Sequence, residues 1–479
     1  MKFRDVLKGV DVVDVRGEDV EVTHLCYDSR KAEKGSLFFA LKGRFFDGDE
    51  FVKDAVERGA VAVVSSQPPQ GEVAWAQVLD VRRAMARISD NFYGHPSREL
   101  KMVGVTGTNG KTTVVHLTAR ILGGGYISTV GNFTGRPLPS VLTTPESVDI
   151  QRMLREMVDA GLKYASIEAS SHGLYFHRLD GIDFDVCVFT NLSGDHLDFH
   201  LDMERYFQAK ALLFKMVEGS HRWAIINVDD PYGRKLLDTV NCGVLTYGMG
   251  SGASIYPLEA SFSMEGIKAR VRTPVGDITV DSPMAGRFNL YNIMASIGVG
   301  IVLKKPREEI EEKIREFRGV KGRMERFRFG EIYAVVDYAH SDDALKNLLS
   351  SLRELVQGRI ILVFGAGGDR DRSKRPRMGR VAGELADISI ITSDNPRSED
   401  PVKIIREIEE GIREKTSLYM KIPDRKAAIF KALEIARPGD VVVIAGKGHE
   451  DYQIIGNLRR HFSDQEVVKE FFEGKNEAE

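Results

Sequence analysis

Short apolar runs alternate with polar stretches through the first hundred residues. SLFFAL (36–41) and AVAVVSS (60–66) read as buried strands, and EFVKDAVERG (50–59) places its apolar residues at helical spacing. This pattern predicts a small α/β unit. NFYGHPSREL (91–100) groups Gly94, His95 and Pro96, which breaks a helix and marks a linker. Beyond it, KMVGVTG (101–107) reads as a buried strand ending in glycine, with a helix over KTTVVHLTARIL (111–122). YASIEAS (164–170), FDVCVFTNL (184–192) and WAIINV (223–228) are further strands, alternating with helical segments such as ERYFQAKALLFKMV (204–217). That order predicts a mostly parallel, doubly wound sheet. The alternating stretch 256–282 predicts hairpins appended to this sheet, before a helix over 286–303. After GVKGRMERF (319–327), the segments EIYAVVDYAH, GRIILVFGAGG, ADISIITSDNPR and DVVVIAGKGHE each end a strand in a polar or glycine-rich turn. Ligands of open α/β sheets bind outside the carboxyl ends of strands, so these four turns predict one crevice. The expected fold is α/β in three domains, 1–98, 99–322 and 323–479: a small α/β domain, a central phosphate-loop domain and a C-terminal Rossmann-like domain. The tail EGKNEAE (473–479) is expected to be disordered.

The strand, glycine loop, helix junction carries the first chemical signal. Gly107, Thr108, Asn109, Gly110, Lys111, Thr112 and Thr113 supply backbone N–H groups for phosphate oxygens, a lysine for the terminal phosphates and a hydroxyl for Mg²⁺. The loop is a shortened relative of the Walker A pattern, whose first glycine would fall on Val105. ATP is the expected ligand. Glu168 and His196 sit in polar clusters directly after apolar strands, which favours Mg²⁺ coordination over a surface or core role. Lys210 lies among apolar helical neighbours, where a lysine ordinarily snorkels to the surface.

Composition narrows the class. The 479 residues hold 67 basic and 70 acidic side chains, a net charge of −3, without a basic stripe. A nucleic-acid or membrane-surface binder is not expected. Three scattered cysteines encode neither a disulfide framework nor a zinc site. No stretch approaches the ~18 apolar residues of a membrane span, and no leader is evident, so a cytoplasmic protein is expected. GAGGDR (365–370) fails the dinucleotide fingerprint because Arg370 stands where the third glycine belongs.

DSR (28–30), GTNGKTT, LTTPES (142–147), E-x-SSHGL, FTNLSGDHLDFH, Y-x-x-AK, GRFNLYN, GRMERF, VVDYAH, VFGAGGDRDRSKRP, DNPRSEDP and AGKGHEDYQ occur in this order along the whole chain. Together they resemble the Mur ligases, ATP-dependent amide-forming enzymes of peptidoglycan precursor synthesis, and most closely the MurE type, which forms the tripeptide precursor. The resemblance implies an N-terminal domain that holds a uridine nucleotide, with Ser29 at the uracil end. It places Thr143, Thr144, Ser170 and Arg178 on the UDP-linked dipeptide. It places Asn289, Asn292, Arg323, Asp337 and His340 on the nucleotide, and Thr112, Glu168 and His196 on Mg²⁺. Lys210 matches a lysine that the family carries as a carbamate and uses as a metal ligand. Phe176 stands where the family commonly has glutamine, and Arg44, Phe45 and Phe46 replace a small polar run. Direct hydrogen bonds to substrate are not expected there.

The implied chemistry is uphill in water, so the acceptor carboxylate must first take the γ-phosphoryl group of ATP and become an acyl phosphate. Lys111 and Mg²⁺ held by Thr112, Glu168, His196 and modified Lys210 would offset the repulsion between anions. His340 and Glu450 are both candidates to orient or deprotonate the amine. Arg397, helped by Arg370, Asp394 and Asn395, offers a planar fork to a side-chain carboxylate, with Glu450 and the Gly446 carbonyl left for an ammonium group. meso-Diaminopimelate has that carboxylate and lysine does not. An unmatched buried guanidinium costs about 2–5 kcal/mol, which predicts strong discrimination. Three other readings remain open: the same ligase adding L-lysine, folylpolyglutamate synthetase, and a binding protein gated by nucleotide without turnover. The expected partners are small molecules alone, with the protein a monomer.

Overall fold

The computed structural model describes residues 1–43, 46–69 and 71–476. The first sheet has five strands in the order Val12–Arg16, Ala74–Val78, Ala60–Ser65, Ser36–Phe39, His24–Cys26. Only the first pair is antiparallel. Ser36–Phe39 is buried at every position because both faces of this sheet are covered, as parallel sheets require. The helix Val81–Phe92 packs on one face and is capped by Asp80, whose carboxylate accepts from Arg82 N and Arg83 N at 3.0 and 3.1 Å.

The central sheet has eight strands, in the order Cys242–Tyr247, Gly219–Asn227, Val186–Phe189, Lys101–Thr106, Tyr164–Glu168, Gly125–Ile127, Asn132–Phe133, Pro137–Leu138. The first six run parallel. The helix Lys111–Leu122 leaves the middle strand and packs Val114, Leu117 and Ile121 into a core shared with Ile293 and Ile297 of the helix Arg287–Val302. Residues 256–282 form the expected hairpins, though as a sheet of their own rather than as an extension of the parallel one. They form their own antiparallel sheet of Tyr256–Phe262, Ile267–Thr273 and Gly276–Ser282, joined to the parallel sheet by a bridge between Tyr247 and Ile255. The strict alternation of its central strand, Ile267–Thr273, leaves one wet face, which a parallel sheet covered on both sides does not accommodate.

The third sheet runs Glu325–Phe329, Ile332–Asp337, Val441–Ala445, Ile360–Phe364, Ile388–Ile391, Tyr419–Lys421, and all but the first strand are parallel. The four expected strand ends are therefore neighbours along one edge. A hairpin, Tyr452–Ile455 with Leu458–His461, follows the last of them. The tail expectation is corrected in part: the helix Asp464–Asn476 takes in Glu473 to Asn476, because Val468, Phe471 and Phe472 anchor it to the sheet. Residues 477–479 lie outside the described residues. Among the described residues no helix is long and apolar enough to cross a membrane.

Candidate active site

The phosphate loop is built by exclusion of side chains. Gly107 has φ +147°, and a Cβ there would lie 1.8 Å from Thr190 Oγ1; at Gly110, φ +88°, it would lie 2.4 Å from Asn292 Oδ1. The neighbouring strand end braces the loop: Asn191 O accepts from Thr108 N at 2.8 Å, and Asn191 Oδ1 from Asn109 N at 2.9 Å. Asn292 in turn donates to Asn289 Oδ1 at 3.0 Å, and Asn289 to Ala285 O at 2.7 Å. These two asparagines thus back the loop from beneath. Lys111 Nζ donates to Gly107 O and Thr108 O at 2.8 and 2.9 Å. Burial pulls its pKa below the ordinary lysine value, with Glu168 and Asp195 opposing.

A cavity of about 220 Å³ lies over the loop, walled by Thr108–Thr113 with Glu168, Ser170, His196, Arg323, Asp337 and His340. Glu168 is fixed, since its Oε1 accepts from Thr129 N at 2.8 Å and its Oε2 from Thr129 Oγ1 at 3.2 Å. Thr112 Oγ1 accepts from Arg323 Nη2 at 3.3 Å, a contact that joins the central and C-terminal sheets' neighbourhoods. His196 has φ +54°, and burial pulls its imidazole below the usual range with Asp195 opposing. Among the described residues no three His, Cys, Asp or Glu side chains gather as a cation cage. One fixed carboxylate and a threonine hydroxyl beside a phosphate loop do fit Mg²⁺, which keeps waters and takes its other oxygens from phosphates.

Lys210 does not snorkel. It is 1% exposed, donates to Gly107 O at 2.7 Å and lies 4.7 Å from the Tyr206 ring centroid. Burial, reinforced by Lys111, holds its pKa well below the ordinary value. The helix Met203–Lys215 turns this residue under the phosphate loop rather than toward water. Asp337 is buried, which pushes its carboxyl up, and its two oxygens accept from Met324 N and Ala339 N at 2.7 and 2.8 Å.

A second cleft of about 1020 Å³ shares Thr129, Thr143, Asp195, His196, Tyr338, His340 and Ser341 with the first cavity. Its far wall carries Arg370, Asp394, Asn395, Arg397, Gly446 and Glu450. Asn395 ties this wall together: its Nδ2 donates to Glu450 Oε2 at 2.9 Å, and its Oδ1 accepts from Ile454 N at 2.9 Å and Lys447 Nζ at 3.2 Å. Gly446 has φ +116°, with Asp394 Oδ2 2.5 Å from where a Cβ would stand. Burial raises the Glu450 pKa, with Lys447 opposing. His340 Nδ1 lies 2.8 Å from Tyr338 O, a group that only accepts, so Nδ1 carries the proton and Nε2 keeps a lone pair. Burial lowers its pKa and keeps the ring neutral.

Arg397 is free for a ligand. Glu399 is taken by Arg375, which has no exposed surface and contacts the Glu399 oxygens at 2.8 and 2.9 Å, and Asp400 caps the helix Pro401–Ile412. Arg397 itself donates to Gly368 O at 2.7 Å, at φ +52°. Arg375 holds the Glu399 carboxyl down at about 2. Such a depressed pKa stabilises the fold above the ordinary carboxylate range, and the contribution is lost as pH falls from about 4.5 toward 2. The expected result is that Glu399→Gln lowers the urea midpoint at about pH 7 and that the gap to wild type narrows at about pH 3. An equal gap at both pH values would refute the role of this pair.

Besides Gly107, Lys210, Asn289 and Asn292, which lie behind the phosphate loop, the expected residues Ser29, Thr144 and Arg178 stand on neither wall. Ser29 is buried beside the five-stranded sheet, with its carbonyl accepting from Ala32 N at 3.0 Å. Thr144 Oγ1 donates to Glu168 O at 2.6 Å and accepts from Ser170 N at 3.0 Å, a knot between two loops. Arg178 donates to Thr144 O at 3.0 Å and pairs with Glu146 at 2.9 Å. Glu146 also binds Arg82 of the N-terminal unit at 2.9 Å, and the Phe176 ring lies 5.0 Å from Arg82 and 5.8 Å from Arg178. Phe46 is exposed against Phe51 at 6.3 Å; Arg44 and Phe45 lie outside the described residues. Sequence reasoning missed Glu146, Arg82, Asn191 and Asp195. The last two stand inside FTNLSGDHLDFH beside His196, which was the available signal.

The comparisons define the class. The chain belongs to the Mur ligase family: residues 21–93 match the Mur ligase family catalytic domain, 105–300 the Mur ligase middle domain and 322–448 the Mur ligase glutamate ligase domain. Among named relatives, it is 44% identical, over 98% of both chains, to UDP-N-acetylmuramoyl-L-alanyl-D-glutamate--2,6-diaminopimelate ligase of Caldanaerobacter subterraneus subsp. tengcongensis. It is 43% identical to the protein of that name from Geobacter metallireducens, again over 98% of both chains. A solved structure of that name superposes with a TM-score of 0.69 at 33% identity, covering 99% of each chain. MurF from Thermotoga maritima in complex with ADP shares the fold, with a TM-score of 0.69 at 20% identity over 96% of this chain and all of that one.

Proposed function

We propose that this chain is an ATP-dependent amide ligase that joins meso-diaminopimelate to UDP-N-acetylmuramoyl-L-alanyl-D-glutamate in peptidoglycan precursor synthesis. The observation that carries the reading is the shared wall at Asp195, His196 and His340, where the phosphate-loop cavity opens into the cleft of Arg397. The full-length relatives bear the same activity in their names. The working units are 1–98 for the uridine nucleotide, 99–322 for ATP and 323–479 for the amino acid.

In this reading a carboxylate oxygen of the dipeptide attacks the γ-phosphorus of ATP, and ADP leaves with the bridging oxygen. Lys111 and the N–H groups of the loop hold the phosphates. Mg²⁺, held by Thr112, Glu168 and His196, would neutralise charge on the transferring group. Lys210 is suited to carbamylation because burial favours the neutral amine, whose nitrogen attacks CO₂ and releases one proton to leave an anionic carbamate. The amine of diaminopimelate then attacks the acyl carbon and expels phosphate. His340 Nε2 takes the amine proton, since His340 faces both cavities whereas Glu450 lines only the cleft. Glu450, locked by Asn395 and Lys447, holds the second ammonium group with Gly446 O.

The test is phosphate release with ATP, Mg²⁺ and the UDP-linked dipeptide, offering meso-diaminopimelate and L-lysine in parallel and identifying the product by mass. Turnover with diaminopimelate alone is expected. Equal turnover with lysine would overturn the acceptor assignment, and none with either would leave a nucleotide-gated binding protein.

A further inference from the structure

The turn 338–341 leaves the strand Ile332–Asp337 and sets His340 where the phosphate-loop cavity meets the cleft. Its polar groups are held on several sides. Ala339 N donates to Asp337 Oδ1 at 2.8 Å, His340 Nδ1 to Tyr338 O at 2.8 Å, and Ser341 Oγ accepts from Ala344 N at 3.3 Å. The His340 carbonyl accepts from Lys374 Nζ at 2.8 Å. Lys374 is the first residue of the helix Lys374–Leu385, and it lines the cleft together with His340 and Asp195.

The basic residues around Lys374 all meet carboxylates: Arg372 with Glu407, Arg375 with Glu399 and Glu407, Arg377 with Asp342, and Arg380 with Glu414. Lys374 takes a neutral carbonyl instead. Burial pulls its pKa below the ordinary lysine value, and Asp195, Asp394 and Asp371 oppose this, but among the described residues none of the three pairs with it. A half-buried ammonium group at the positive end of a helix is placed against both solvation and the helix dipole. Such a local conflict marks a position kept for what it touches. Its origin is rigid, because the adjacent Arg375 is fully buried and also donates to Gly367 O at 3.1 Å. Arg377 of the same helix meets Asp342 at 2.9 Å, so one helix end grips the His340 turn at two points.

We propose that Lys374 is a positioning residue for His340: by holding the His340 carbonyl from an anchored helix start, it keeps Nε2 aimed at the amine of the incoming amino acid. The inference rests on the ligase reading above and deepens it, because it names what orients the group that takes the amine proton.

Steady-state kinetics of the full chain test it, with ATP, the UDP-linked dipeptide and meso-diaminopimelate each varied in turn. The variants are Lys374→Met, Lys374→Arg, His340→Gln and the combination of Lys374→Met with His340→Gln, and thermal melting accompanies each. Lys374→Met is expected to lower kcat about tenfold or more while KM for ATP and for diaminopimelate stays within about twofold. Lys374→Arg, which keeps a cationic donor of similar reach, should recover most of the loss. In the His340→Gln background the same Lys374→Met change should lower kcat less than about twofold, since no base is left to aim. Wild-type kcat in Lys374→Met overturns the inference and leaves the ligase reading standing. So does a loss of equal size in the His340→Gln background, or one that falls on KM alone. Should Lys374→Met melt far below wild type, Lys374→Gln replaces it under the same criteria. Wild type that turns over no diamino acid overturns both.

Discussion

Lys111→Ala is expected to lower kcat/KM by about a thousandfold, the scale of removing a preorganised charge from a transferring group. The lysine stands at the first position of the helix Lys111–Leu122, on a wall it shares with the loop backbone, threonine hydroxyls, Glu168, Asp195, Arg323 and Asp337. Its ammonium group spans Gly107 O and Thr108 O, so it is aimed by the loop before any phosphate meets it. Arg323 is the other cation on this wall, and it is engaged with Thr112 and stacked 4.5 Å from the Tyr338 ring centroid. It does not substitute for Lys111. Lys111→Arg should fail nearly as badly, because a planar fork does not fit between two carbonyls arranged for a point charge. Thermal melting and calorimetric titration with ATP separate the causes: an unchanged melting temperature with lost ATP affinity is expected. Wild-type ATP affinity in Lys111→Ala would remove this residue from the phosphate site.

The second large effect concerns Arg397. Arg397→Ala should reduce kcat/KM for meso-diaminopimelate by about a hundredfold or more while KM for ATP stays within about twofold. The preference over L-lysine should shrink by the same factor, since lysine never matched the guanidinium. Arg397 can meet a substrate carboxylate because Glu399, two residues away, does not pair with it. Arg375 secures this by holding Glu399, whose Oε1 also accepts from Asp369 N, and thereby sets the backbone that places Gly368 O under Arg397. Glu399→Gln should therefore weaken diaminopimelate binding as well, though less than Arg397→Ala. Competition between diaminopimelate and lysine in one reaction, read by product mass, measures the ratio directly. A ratio unchanged by Arg397→Ala would move the selectivity elsewhere on the cleft wall.

The phosphate loop was legible because its chemistry is local. Glycines, lysine and threonines must follow a strand and open a helix, and all of that lies within Gly107–Thr113. The four C-terminal turns were legible for the same reason, since each is a strand end with its own polar residues. The neighbours of Lys210 alone do not place it: an apolar helix face reads the same whether its lysine meets water or a carbonyl from a loop 103 residues earlier. The resemblance resolves that ambiguity, and the geometry supplies its reason in the buried contact with Gly107 O.

Local pattern determined the α/β class, the order of strands and helices, the ATP loop and the DNPR turn, because each is written within a dozen or so contiguous residues. Tertiary structure alone decided which groups meet. The junction of Asp195 and His196 with His340, the burial of Lys210, the release of Arg397 by Arg375 and the grip of Lys374 on His340 O depend on how separate elements dock. Periodicity fixes which face of an element is apolar, but it does not fix which polar ends the packing of those faces brings together.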